Sequence, residues 1–226
     1  MRRMLALVVP LLALGLLQST ARADFFLSGT GGLNGGVGPQ TITNGDKVFG
    51  NFSCSIVIDQ VANPEDCSSI KVLTGSDSSG NLGIVFQAAF NAISTADFGA
   101  GSVDFLIGYT VTAPAPLITD IHMIFNGAIT GTGHTNVTET VTAGGVVGQI
   151  SVNNPPPVLE SSADLTGGPY TSVSVSKDIL LTSGPNGSAA MSFVGQYFSQ
   201  VVPEPASFVL LGTLLTGVAF LRKRKA

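Results

Sequence analysis

Between Ser102 and Thr112 apolar residues fall at every second position: Val103, Phe105, Ile107, Tyr109 and Val111 share one face, and Asp104, Gly108, Thr110 and Thr112, with Leu106 among them, share the other. A period of two over eleven residues puts one face of an extended chain against a core and the other in solvent, so it predicts a half-buried strand. The same alternation recurs over 48–59 (Phe52, Cys54, Ile56, Ile58), 84–92 (Ile84, Phe86, Ala88, Phe90), 121–126, 171–181 (Val173, Val175, Ile179) and 189–201 (Met191, Phe193, Tyr197). Weaker strands are expected near Ile70, Val137 and Ile150, giving about nine or ten in all.

Turn chemistry separates these segments. Asn44-Gly45-Asp46, Gly75-Ser76-Asp77, Ser79-Gly80-Asn81, Gly131-Thr132-Gly133, Gly144-Gly145, Pro155-Pro156-Pro157 and Gly184-Pro185-Asn186-Gly187 all carry residues that reverse a chain. Lys, Glu and Arg, which usually fill exposed helix faces, are scarce here, while Thr and Ser are abundant. Short strands punctuated this often predict an all-β fold, a jelly-roll-like antiparallel β-sandwich over 41–202 behind a glycine-rich leader at 24–40. The leader has neither a GxGxxG between strand and helix nor a Lys-Ser or Lys-Thr pair for phosphate, so its glycines are structural.

Over 24–202 three cations (Lys47, Lys71, Lys177) face thirteen acids, a net charge of −10 that the whole-chain value of −4 conceals. A body this acidic and without Arg is repelled by phosphate backbones, which argues against nucleic-acid binding. The thiols are Cys54 and Cys67 alone. In an oxidising compartment they are expected to form a disulfide around a turn at Asn63-Pro64-Glu65-Asp66; zinc is the weaker alternative, because the spacing fits no zinc pattern.

Candidate catalytic groups are few. The histidines are His122 and His134, and Asp120 with His122 on one strand face could bind a metal or move a proton, or simply form a polar surface. No nucleophile elbow, HExxH or third ligand accompanies them. Asp97 with Asp104, or Glu65 with Asp66, would serve as glycosidase acids only if the fold paired them. The sequence calls for no cofactor, although Asp and Asn side chains and loop carbonyls are the donors a structural calcium takes. Sequons at Asn51, Asn136 and Asn186 are short enough to arise by chance in a Ser/Thr-rich chain.

Both ends carry transport signals. Arg2 and Arg3, an apolar run from Leu5 to Leu17 and Ala21-Arg22-Ala23 have the three parts of a secretory signal peptide over 1–23, with signal peptidase cutting between Ala23 and Asp24. At the other end Pro203-Glu204-Pro205 precedes sixteen uncharged residues (206–221) and the basic run Arg222, Lys223, Arg224, Lys225. As a helix, 206–221 spans roughly 24 Å, just short of the ~30 Å hydrocarbon core, and the four cations would hold its far end in the cytoplasm. The prolines keep Glu204 extended ahead of this expected transmembrane helix, as a processing enzyme requires.

This tripeptide, apolar segment and basic stop, in that order, resemble a PEP-CTERM sorting signal over 203–226, about a tenth of the chain. The resemblance implies a Gram-negative exported protein. It would be anchored in the inner membrane as a precursor, handled by an exosortase, and delivered to the cell surface or an extracellular matrix, often alongside exopolysaccharide and biofilm. Three classes of function remain: a non-catalytic surface or matrix protein, a carbohydrate-binding module, and a secreted hydrolase. Absence of Trp weakens the second, for which Tyr170 in Gly167-Gly168-Pro169-Tyr170 is the best exposed aromatic candidate.

Overall fold

The computed structural model describes residues 24–27, 34–35, 40–61, 64–94, 99–114 and 117–200. The expected signal peptide, most of the glycine-rich leader and the whole 203–226 tail, with the transmembrane helix foreseen at 206–221, lie outside the described residues.

Fourteen strands occupy the described chain: β1 Phe25–Phe26, β2 Asn34–Gly35, β3 Ile42–Asn44, β4 Lys47–Asp59, β5 Lys71–Ser76, β6 Leu82–Ile93, β7 Ser102–Thr112, β8 Asp120–Phe125, β9 Ala128–Thr130, β10 His134–Thr142, β11 Val146–Asn154, β12 Glu160–Asp164, β13 Ser172–Thr182 and β14 Ser188–Phe198. One 3₁₀ turn, Cys67–Ser69, precedes β5. The strands form two antiparallel sheets. The first runs β1-β5-β6-β14-β8-β12, with β9 also on β14; the second runs β11-β10-β13-β7-β4-β2, with β3 on β4. From β6 to β14 the chain passes repeatedly from one sheet to the other, so most pairs are distant in sequence and the apolar faces meet in one sandwich core.

The alternation seen at 102–112 holds in β7, where Val103, Phe105, Ile107, Tyr109 and Val111 are all buried. Its neighbour β13 buries Val173, Val175, Lys177, Ile179 and Leu181 at the same parity. Aromatic side chains fill the centre: Phe52 stacks on Tyr109 with ring centroids 5.6 Å apart, and Phe90 meets Phe105 edge-on at 5.2 Å.

Two strands depart from strict alternation. In β4 the register against β7 shifts between Gly50 and Ser53, with Asn51 at φ 54°, so that Phe49 and Phe52 both point inward. In β14 a shift between Met191 and Phe193 turns Val194, Gln196 and Phe198 towards the core. Phe193 and Tyr197, expected inward with Met191, are thereby corrected to the outer face. Tyr197 is well covered there, yet it stands outside the hydrophobic core.

Candidate functional site

The outer face of the first sheet carries a cleft of about 590 Å³, walled on one side by the β5–β6 turn (Asp77, Ser78, Ser79) and on the other by β8 and β12 (His122, Ile124, Glu160, Ser162). Antiparallel register places His122 opposite Ser162 on β12 and opposite Tyr197 on β14, so these side chains share a face. Tyr197 lies over Gly195, where a Cβ would collide with its ring and hydroxyl, and reaches to van der Waals contact above Gly75. Small residues thus let an aromatic ring lie close to the sheet.

Asp77 is fixed by its own turn. One carboxylate oxygen accepts from the Ser79 and Asn81 backbone N–H groups at 2.9 Å each, and the other accepts from Asn81 Nδ2 at 2.8 Å. Burial raises its pKa, but the Asn81 and Ser79 donors outweigh that, with a smaller contribution from His122, and the net result lies below the ordinary carboxylate value. Burial first, and the charge of Asp77 second, push the Tyr197 phenol up. The cleft therefore offers a fixed negative charge, hydroxyls and an imidazole.

The pair singled out in the sequence does meet. His122 Nε2 lies 3.1 Å from Asp120 Oδ1, although the contact lacks hydrogen-bond alignment and that oxygen already accepts the Ser199 N–H at 3.0 Å. His134 stands at the start of β10 in the other sheet. Among the described residues no three His, Cys, Asp or Glu side chains gather as metal ligands.

The remaining candidates are structural. Asp66 accepts from Ser68 and Ser69 N–H groups and from Ser68 Oγ, capping the 3₁₀ turn. Its pKa is lowered first by the Ser68 hydroxyl. Asp104 interacts with Asp178 on the neighbouring strand; Asp97 lies outside the described residues. Tyr170 packs over Gly167 and Gly168 and donates its hydroxyl proton to Thr166 O at 2.6 Å. Cys54 and Cys67 are joined, with Cα atoms 5.9 Å apart. Asp24, the expected first residue after export, is ion-paired to Lys71 at 2.9 Å. Pro203, Glu204, Pro205, Ala23 and the basic run 222–225 lie outside the described residues. No helix among the described residues is long and apolar enough to cross a membrane.

Sequence reasoning missed a second polar group, inside the core. Lys177 Nζ lies 2.6 Å from Glu139 Oε2 and 3.0 Å from Gln196 Oε1, with all three side chains fully buried. The signal was available: Lys177 holds the inward position between Val175 and Ile179, and Glu139 the one between Val137 and Val141.

No family model and no curated protein matches the chain. Solved structures with some likeness include TmCBM61 in complex with β-1,4-galactotriose, at 10% identity over 65% of this chain and 88% of that one, with a TM-score of 0.30. The enzymatically active domain of bacteriophage CBA120 tailspike protein 4 shows 15% identity over 66% of this chain and a TM-score of 0.32; the match spans 19% of the tailspike chain. The GH31 α-xylosidase of Xanthomonas citri gives 10% identity over 78% of this chain, 25% of that chain and a TM-score of 0.22. Likeness at this level says nothing about what this chain binds.

Proposed function

We propose that this protein is an exported, non-catalytic, jelly-roll-like β-sandwich, carried across the inner membrane and sorted by an exosortase through Pro203-Glu204-Pro205 to the cell surface or an extracellular polysaccharide matrix. The observation that carries the reading is the three-part 203–225 segment in a chain that also begins with the parts of a signal peptide. Two structural features support it. The Cys54–Cys67 disulfide suits an oxidising compartment. The strand order β6-β14-β8-β12 facing β7-β13-β10-β11 suits a jelly roll extended by β4 and β5.

The test is expression of the full chain in hosts with and without an exosortase, followed by intact mass measurement. A mature form starting at Asp24 and cut near Pro203-Glu204-Pro205 only in the exosortase host supports the reading. A tail retained through Ala226 in both hosts rejects it.

The cleft favours a second reading, carbohydrate binding. Serine hydroxyls, His122 and the Asp77 and Glu160 carboxylates are hydrogen-bond partners for sugar hydroxyls, and Ile124 lies beside them as an apolar contact. The acidic body selects neutral glycans over anionic ones. Affinity electrophoresis in neutral polysaccharides should retard the protein, and Glu160→Ala with His122→Ala should abolish the retardation; equal mobility in every gel excludes this reading.

A further inference from the structure

Polar side chains from three strands converge where the rest of the core is apolar. Lys177 on β13 donates from Nζ to Glu139 Oε2 on β10 and to Gln196 Oε1 on β14, and lies 3.2 Å from Met123 Sδ on β8. Lys177, Glu139 and Gln196 are each 0% exposed. Three atoms around them, Glu139 Oε1, Gln196 Nε2 and Tyr109 Oη, have no hydrogen-bond partner among the described residues. An enclosed ion pair repays its desolvation only when its remaining lone pairs and protons are satisfied, and apolar residues of equal volume usually do as well or better. An amide NH₂ with two unmet donors adds to the penalty. Stability alone gives no reason for this set.

We propose that Lys177 and Gln196 become joined by an intramolecular isopeptide bond that the folded protein forms itself, with Glu139 carrying the proton. The bond would tie β13 of one sheet to β14 of the other. Enclosure favours the forms that react. Burial pushes the Lys177 ammonium down, and burial pushes the Glu139 carboxyl up, each against the attraction between the two. Moving one proton from Nζ to the carboxylate leaves a neutral amine beside a carboxylic acid.

The amine lone pair then attacks Cδ of Gln196, whose oxygen is already in contact with Nζ. Glu139 protonates the amide in the tetrahedral intermediate and takes back the proton that Nζ releases. The Nζ–Cδ bond forms, the Cδ–Nε2 bond breaks, and Nε2 leaves as ammonia with the proton that Glu139 gave it, while the proton from Nζ stays on Glu139. No oxidant, metal or cofactor is consumed. The product has lost the unmet amide NH₂ and the buried ammonium, and Glu139 remains as a neutral acid hydrogen-bonded to the new amide. Nucleophile, electrophile and proton carrier held in contact, with water excluded, is the arrangement by which enclosure accelerates an otherwise slow acyl transfer.

The test is peptide mapping of the purified, reduced full chain. A protease that cuts ahead of aspartate releases 164–177 separately from the peptide beginning at Asp178, because Asp164 and Asp178 flank the segment that ends in Lys177. The expected product is those two peptides covalently joined, lighter than their sum with the cut bond counted by one ammonia, with fragmentation placing the link between Lys177 and Gln196. Glu139→Gln should give the two peptides unlinked, and Lys177→Met likewise. Unlinked peptides from the folded wild-type chain overturn the proposal. Loss of one water with Lys177 joined to Glu139 overturns the assignment to Gln196, and a link that persists in Glu139→Gln overturns the role of Glu139. The wild-type map decides the bond even if neither variant folds.

Discussion

Asn126 grips Ser192 from both ends of its side chain: Nδ2 donates to Ser192 Oγ at 2.6 Å, and Oδ1 accepts the Ser192 N–H at 3.0 Å. The same oxygen accepts the Phe193 N–H at 3.0 Å. Asn126 sits in the gap between β8 and β9, which pair with two different stretches of β14, so it satisfies backbone donors that the bulge leaves without a ladder partner. The bulge sends Gln196 inward and Tyr197 outward. Asn126→Ala is expected to destabilise the fold by about 1 kcal/mol, since these partly exposed bonds are replaced by water. A urea midpoint that does not move would show that backbone pairing alone sets the bulge.

That bulge marks where the sequence stops being legible. β7 and β13 could be read residue by residue because both faces keep strict parity against a buried partner strand. β14 could not, because one extra residue reverses parity after Met191 and the sequence carries no Gly at that point. β12, Glu160-Ser161-Ser162-Ala163-Asp164, was invisible for another reason. It is an edge strand that pairs with β8 alone, and neither face follows an apolar period. Since β12 supplies one wall of the cleft, the candidate site was legible only at Asp120 and His122. Lys177 and Glu139 were hidden by their chemistry, because a charge at an inward position is ordinarily taken as a surface residue.

The disulfide connects the middle of β4, in the second sheet, to the turn that leads into β5 of the first. Closing a loop with a sequence separation of 13 stabilises the fold by about 3 kcal/mol in the chain-entropy model. Unfolding in urea with and without a reductant should show a lower midpoint in the reduced sample by that order, and Cys54→Ala/Cys67→Ala should match the reduced wild type. Identical midpoints would mean that the aromatic core already fixes this loop.

Asp104 provides the pH prediction. Burial first, then repulsion and hydrogen bonding with Asp178, push its carboxyl up to about 6 from an ordinary value of 3.8. The folded chain therefore binds this proton more tightly than the unfolded chain, and stability from this group rises as pH falls through about 6, levelling off near the ordinary value. At neutral pH it acts against the fold. Asp104→Asn should raise the melting temperature at pH 7 and flatten its change between pH 7 and pH 4, by less than ~1 kcal/mol because the site is only partly buried and solvent screens it. Melting temperatures of wild type and variant that change in parallel across that range would contradict the raised Asp104 carboxyl.

Gly83 faces Tyr197 across the β6–β14 ladder, and a Cβ there would overlap the carbonyl of Gln196. The obstacle is backbone, so no side-chain rotation relieves it, and the two central strands of the first sheet must separate. Gly145 is the matched control: a Cβ there meets nothing within 4 Å. Gly83→Ala is expected to destabilise the fold by roughly 2–3 kcal/mol through overpacking, while Gly145→Ala stays within about 0.5 kcal/mol of wild type. Separating β6 from β14 also displaces Tyr197 and the Asp77 turn beside it. Any glycan retardation seen with the wild type should therefore weaken in Gly83→Ala even under conditions where the variant remains folded, and persist unchanged in Gly145→Ala. Equal stability of the two variants would show that the strands part at Gly83 without penalty.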